Sequence, residues 1–171
     1  AFGETKSDTT KPAKPETNPL SFSGYVETYY SYDFGNPSDH NRPGFVYSHN
    51  RHNEVNLNLG FVKAAYSTDR VRGNLALMAG TYANANLASE PGVLQNVFEA
   101  NAGFHLSKTK NLRIDAGILP SHIGFDSAVG KDCWNLTRSL LADNSPYFES
   151  GARISYTSQN EKWYLSALLI K

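Results

Sequence analysis

The sequence predicts an all-β fold: a transmembrane antiparallel up-and-down β-barrel, of which this chain supplies about seven strands and not a closed circuit. Three observations predict it. Apolar and polar residues alternate over successive segments, the connections between those segments are by turns long and short, and aromatic residues stand where the segments end. "EVNLNLGFV" at 54–62 shows the first. Val55, Leu57, Leu59 and Phe61 fall on one side of an extended chain, and Glu54, Asn56, Asn58 and Gly60 on the other.

Taken in order, residues 1–19 combine Lys, Thr, Pro and Glu with one aromatic, Phe2. They offer too little apolar area to offset the entropy of folding and are expected to form a disordered periplasmic leader. Residues 20–171 are expected to be the N-terminal half of a barrel, with strands at about 20–33, 51–66, 70–82, 97–107, 111–119, 147–157 and 162–171. The first sets Leu20, Phe22, Val26, Tyr30 and Tyr32 against Ser21, Ser23, Glu27 and Ser31. The third sets Val71, Leu75, Leu77 and Ala79 against Arg70, Arg72 and Asn74. In the fourth, Phe98, Ala100, Ala102, Phe104 and Leu106 oppose Glu99, Asn101 and His105. Leu112, Ile114 and Ile118 oppose Arg113 and Asp115 in the fifth, and Ala152, Ile154 and Tyr156 oppose Glu149 and Arg153 in the sixth. The seventh is apolar on both faces near its end.

The connections 67–69, 108–110 and 158–162 are tight and polar, whereas 34–50, 83–96 and 120–146 are long. Outer-membrane barrels have this asymmetry, with short periplasmic turns and long external loops, so the N-terminus is expected on the periplasmic side. Pairing Tyr66 with Arg70 would align Phe61 with Leu75, Leu59 with Leu77 and Leu57 with Ala79. Pairing Ser107 with Asn111 aligns Phe104 with Ile114, and a third hairpin would set Tyr156 opposite Trp163. Tyr30 and Tyr32 at one rim and Tyr156 and Trp163 at the other are candidates for an aromatic girdle. An open edge in lipid leaves backbone groups unpaired, so further strands or other chains are expected to close the barrel.

Composition narrows the alternatives. Sixteen basic and 16 acidic residues cancel, which gives no bulk attraction for nucleic acid. Mean hydropathy is −0.47, and no apolar run approaches the roughly 20 residues of a membrane helix. A barrel with a polar lumen and polar loops has the same average. Cys133 is the one cysteine, so no disulfide forms within the chain.

The segments "SGYVETYYSYDF", "NRPGFVYSHNRHNEVNLNLGFVKAAY", "PSHIGF" and "LTRSLLADNSPYFESG" resemble the OmpL-like β-barrel porins of Gram-negative outer membranes, and the likeness runs from Ser23 to Ile170. The resemblance implies an outer-membrane porin-like barrel about twice this length. It brings no catalytic motif.

The candidate pore-lining residues are Glu27, Glu54, Arg70, Arg72, Glu99, Arg113, Asp115, Glu149 and Arg153, since a wet pore needs solvated charge on its wall. The candidate lipid-facing residues are Val55, Leu57, Leu59, Phe61, Leu75, Leu77, Phe104 and Ile114. In 120–146, Trp134, Leu136, Leu140 and Leu141 suggest a short amphipathic helix. Folded into the lumen, that loop would present Lys131, Asp132, Arg138 and Asp143 at a constriction. His49 and His52 offer two metal ligands where a site needs three or four. Asp33, Asn36, Asp39 and Asn41 offer oxygen ligands for calcium, but an exposed polar loop is the better explanation of both groups, since oxygen ligands alone are unspecific.

Ser121, His122 and Asp126 form a triad only on paper, and Cys133 has no neighbour that would make its thiolate. No catalytic motif, resident metal or cofactor is expected. The expected function is passive diffusion of small hydrophilic solutes, the expected partners being outer-membrane lipid and those solutes, with a homo-oligomer or membrane-complex partner left open. The competing readings are a plugged barrel serving as a scaffold in a membrane complex, and a soluble β-sandwich or lipocalin-like binder whose apolar face is a core.

Overall fold

The structure, a computed structural model, describes residues 18–124 and 126–170, so most of the expected leader lies outside the described residues. Seven antiparallel strands form one unclosed sheet in chain order: β1 (Leu20–Tyr30), β2 (Val55–Ser67), β3 (Val71–Ala79), β4 (Val97–His105), β5 (Asn111–Pro120), β6 (Phe148–Thr157) and β7 (Tyr164–Ile170). This is the meander that the alternation predicts. The short connections fall after β2, β4 and β6, and the long ones after β1, β3 and β5. Thr68 closes the first tight turn, its Oγ1 accepting from the Val71 amide at 3.0 Å. Ser107 closes the second by accepting from the Lys110 amide at 3.1 Å. No described helix is long and apolar enough to cross a membrane.

Several strand ends differ from expectation. Residues 31–33 and 51–54 leave the ladder, and Arg70 sits in the turn before β3. Thr81 and Tyr82 open a short helix, α1 (Thr81–Asn86), instead of extending β3.

Two β-bulges account for the larger corrections. Between β1 and β2, Glu27 pairs with Leu59 but Thr28 with Leu57, so Asn58 is an extra residue. A bulge resets the alternation of the strand that carries it. Val55 and Leu57 therefore share a face with Gly60, Val62, Ala64 and Tyr66, while Leu59, Phe61 and Lys63 turn to the opposite one. The β2–β3 register follows suit. Phe61 pairs with Met78 and Val62 with Leu77, in place of the expected Phe61–Leu75 and Leu59–Leu77. Leu59 and Phe61, expected against lipid, lie on the other face, with Leu59 0% exposed.

In β4, Ala76 of β3 pairs with Glu99 and Leu77 with Val97, which makes Phe98 the extra residue. Its ring stacks on Phe61 at 4.9 Å, off the face expected for it. The β4–β5 register agrees with expectation, Phe104 opposite Ile114. In the last hairpin Tyr156 faces Leu165, two positions from the expected Trp163, because the turn after β6 is longer than the tight form.

Candidate functional site

The two faces of the sheet differ in chemistry and in what covers them. One is bare and apolar: Phe22, Val26, Val55, Val62, Leu75, Leu77, Phe104 and Leu169 are exposed, Val62 to 67%. Leu57 and Ile114 are half-buried on the same face. Of the expected girdle, Tyr30, Tyr32 and Trp163 are exposed and Tyr156 is half-buried. Tyr30 donates to Asn53 Oδ1 at 2.8 Å, and Tyr32 packs against Phe34 and His52.

The opposite face carries the charge, arranged in pairs that cross small residues. Lys63, Ala76 and Glu99 are successive partners on β2, β3 and β4, and Lys63 Nζ meets Glu99 Oε2 at 2.5 Å over the alanine. Arg72, Gly103, Asp115 and Arg153 are successive partners on β3 to β6. Arg72 takes both oxygens of Asp115, Nε to Oδ1 at 2.6 Å and Nη2 to Oδ2 at 2.5 Å. Asp115 is 1% exposed, and its carboxylate occupies the space a side chain on Gly103 would need. Arg113 lies one step toward the short turns, and Arg70 is exposed in the turn itself.

Toward the long connections the acids meet loop residues. Glu27 Oε1 bonds His49 Nε2 at 2.7 Å, and its Oε2 accepts from Tyr25 at 2.9 Å. Glu149 Oε2 bonds His122 Nδ1 at 2.8 Å. Glu54, just before β2, bonds Arg51, whose guanidinium holds the Glu54 carboxyl below the usual range.

The long segments fold over this end of the charged face. Tyr82 and Ala83 of helix α1 and Leu87 just after it lie in one buried cluster with Leu59 and Met78, which Val129 from the 121–147 segment completes. Gly80 permits the close approach: its φ is +129° and a Cβ there would stand 2.8 Å from the Asn58 carbonyl carbon. The expected amphipathic helix across 134–141 does not form. Helix α2 (Leu140–Asp143) spans four residues, and Trp134 and Leu136 are each 94% exposed.

Of the expected loop charges, Arg138 and Asp143 are buried 3.6 Å apart. Asp143 accepts from Ser48 Oγ at 2.8 Å, and Arg138 donates to the Tyr82 hydroxyl at 3.3 Å, which ties three loops together. Lys131 stands 5.8 Å from the Tyr25 ring centroid. Asp132 lies in the adjoining 3-10 turn, Gly130–Asp132. Between this loop and β1 is a cavity of about 710 Å³, lined by Tyr25, Glu27, Tyr29, His49, Lys131 and Trp134 among others.

The other sequence candidates are engaged separately. His122 faces Glu149, while Asp126 accepts from Ser139 Oγ at 2.7 Å, so Ser121, His122 and Asp126 do not converge. His49 is turned to Glu27, and His52 Nδ1 accepts from the Asp33 amide at 2.8 Å. Asp33 and Asp39 cap their own turns by accepting from the Gly35 and Asn41 amides at 2.8 and 3.1 Å. Burial pushes the Cys133 thiol up.

A sheet with one bare apolar face, one ion-paired face and loops folded over the second is what a barrel wall requires. A family model described as "Putative beta-barrel porin-2, OmpL-like" matches residues 19–171. The chain belongs to that family. No curated protein and no solved structure matches it significantly.

In this OmpL-like porin chain the polar face also includes Lys63, which the sequence pattern passed over, beside asparagines that the alternation places there. Lys63, Asn58, Asn74 and Asn101 stand among the charges, Asn74 donating to Asn101 Oδ1 at 3.1 Å. The missed signal is Lys63. It falls in phase with Leu59 and Phe61, which a lipid-facing assignment cannot accommodate, while Val62 and Tyr66 fall in the opposite phase.

Proposed function

We propose that this chain is part of an outer-membrane porin through which small hydrophilic solutes diffuse, without turnover, metal or cofactor. The observation that carries the reading is the division of one sheet into an exposed apolar face and an ion-paired polar face. Only a wall between hydrocarbon and water uses both. Lipid meets Val55, Leu57, Val62, Leu75, Leu77, Phe104 and Ile114, with Tyr30, Tyr32, Tyr156 and Trp163 at the headgroup levels. Glu27, Glu54, Arg72, Glu99, Arg113, Asp115, Glu149 and Arg153 line the water. The short turns and the N-terminus face the periplasm.

The interlocked loops narrow the external mouth, Lys131 and Asp132 nearest the solute path and Arg138 and Asp143 as the internal brace. Neither a homo-oligomer nor a further membrane partner is required by this reading. The test is single-channel recording of the full-length protein in planar bilayers. Discrete current steps support the porin; a silent, correctly folded barrel would replace it with the scaffold reading.

A further inference from the structure

The short-turn half of the polar face holds more arginine than its carboxylates can pair. Asp115 is the one acidic side chain in the row Arg72–Gly103–Asp115–Arg153, and Arg72 already binds both of its oxygens. Arg153 is left 3.8 Å away, and its Nε is buried with no hydrogen-bond partner among the described residues. The next row toward the turns pairs His105 with Arg113 and Arg113 with Ser155. Arg113 reaches only Asn111 Oδ1, at 3.4 Å, and His105 Nε2 is buried without a partner among the described residues. No loop residue bonds to any of the three arginines among the described residues.

Toward the long connections, by contrast, the strand acids are matched with bases, Glu27 with His49, Glu99 with Lys63 and Glu149 with His122, and Asp143 of the loop with Arg138. The uncompensated charge is therefore concentrated in one place. Three guanidinium groups and one carboxylate lie within about 14 Å across the strands and about 7 Å along them, taking about 4.8 Å per strand and 3.4 Å per residue.

We infer that Arg72, Arg113 and Arg153 form a binding site for oxyanionic solutes, carboxylates or phosphates, at the short-turn end of the channel. Guanidinium forks match such groups with paired N–H donors, and the free Arg153 Nε and the Arg113 fork are the donors on offer. The inference rests on the diffusion-channel reading and names the class of solute it favours.

The test uses the full-length protein in planar bilayers under a potassium chloride gradient, with inorganic phosphate as the probe. Wild type should prefer chloride to potassium, and phosphate should reduce the chloride current. Arg113→Gln should lower the chloride preference by up to roughly sixteenfold, since one unit charge about 5 Å away in water favours chloride and disfavours potassium about fourfold each, and should relieve the phosphate block. Arg113→Lys should keep the chloride preference and lose the block, because it keeps the charge without the fork. Arg113 forms no ion pair among the described residues, so these variants should migrate as folded barrels on an unheated gel. Conducting variants with unchanged preference and block would overturn the arginine site and leave the channel standing. A silent wild type would remove the channel reading, and calorimetric titration of the detergent-solubilised protein with phosphate would then decide the site alone, no heat of binding overturning it.

Discussion

Gly103→Ala should be among the most damaging single-methyl changes in the sheet. A Cβ at this position would stand 2.5 Å from the Ile114 carbonyl oxygen and 2.9 Å from Asp115 Cγ. The carbonyl belongs to the β4–β5 ladder and cannot retreat, so the Asp115 side chain must, and with it goes the two-point bond to Arg72. Breaking a buried ion pair costs about 3–5 kcal/mol when one partner stays buried. Asp115 is at 1% side-chain exposure but Arg72 at 31%, which sets the expected loss near the lower figure. Overpacking adds about 1 kcal/mol more. A total of about 4 kcal/mol is roughly a thousandfold in the folding equilibrium. Urea titration of the full-length protein folded into lipid vesicles, followed by tryptophan fluorescence, reads it directly. Gly44→Ala is the control, since a Cβ there meets nothing within 4 Å, and it should stay within about 0.5 kcal/mol of wild type. A Gly103→Ala protein as stable as Gly44→Ala would refute the arrangement of this row.

Three further outcomes follow from particular side chains. A nitroxide at position 62 should be relaxed by lipid-soluble oxygen and one at position 61 should not, in electron paramagnetic resonance of the protein in vesicles; the reverse would remove the bulge at Asn58. Burial raises the Tyr82 hydroxyl to about 12 from 10.0, so its contribution to stability is whole below pH 10 and is lost between pH 10 and 12, at most about 3 kcal/mol. Tyr82→Phe should flatten that part of an alkaline unfolding profile. At pH 8 iodoacetamide should label Cys133 more slowly in the folded protein than in urea, because burial keeps the thiol protonated; equal rates would contradict its placement.

Most of the architecture was legible because period-two alternation is a local signal, and the strands without a bulge keep it over most of their length, β7 excepted near its end. The β4–β5 register could be read off as well, since Phe104 and Ile114 have one apolar match across a tight turn. The two bulged strands could not. An extra residue such as Asn58 or Phe98 leaves the local pattern looking regular on each side and changes only its phase. Lys63 recorded that change of phase. Most charged residues of the polar face were found because carboxylates and guanidinium groups gather on one side of an alternating strand, yet their partners were not, since Lys63–Glu99 and Arg72–Asp115 join residues 36 and 43 positions apart. The helix expected across 134–141 came from the spacing of four apolar residues. That pattern is indifferent to whether a surface exists to bury them, and Trp134 and Leu136 have none.

The bulges also explain why the loops fold inward at all. On a regularly alternating β2 whose Leu57 and Leu59 both faced lipid, Met78 would be left without Leu59 and Phe61 in the apolar bed under α1. Asn58 changes this by bringing Leu59 and Phe61 to the polar side, and the Phe98 bulge adds a third side chain beside them. Tyr82 and Leu87 then have something to bury against, and Asn58 itself binds the loop by accepting from the His49 amide at 3.0 Å. An uncommon consequence can be tested by deletion. Removing Asn58 joins Leu57 to Leu59 and leaves every other side chain on its present face, at the cost of a few hydrogen bonds, about 1–3 kcal/mol. Removing Val62 instead moves Lys63 into the lipid-facing phase, at about 2–4 kcal/mol near the bilayer midplane, and carries Tyr66 across with it. The Asn58 deletion should therefore still migrate as a folded barrel on an unheated gel, with wider and noisier current steps as the first long loop loosens, whereas the Val62 deletion should not fold. If both deletions fail alike, Asn58 is an ordinary strand residue and the inward packing of the loops needs another cause.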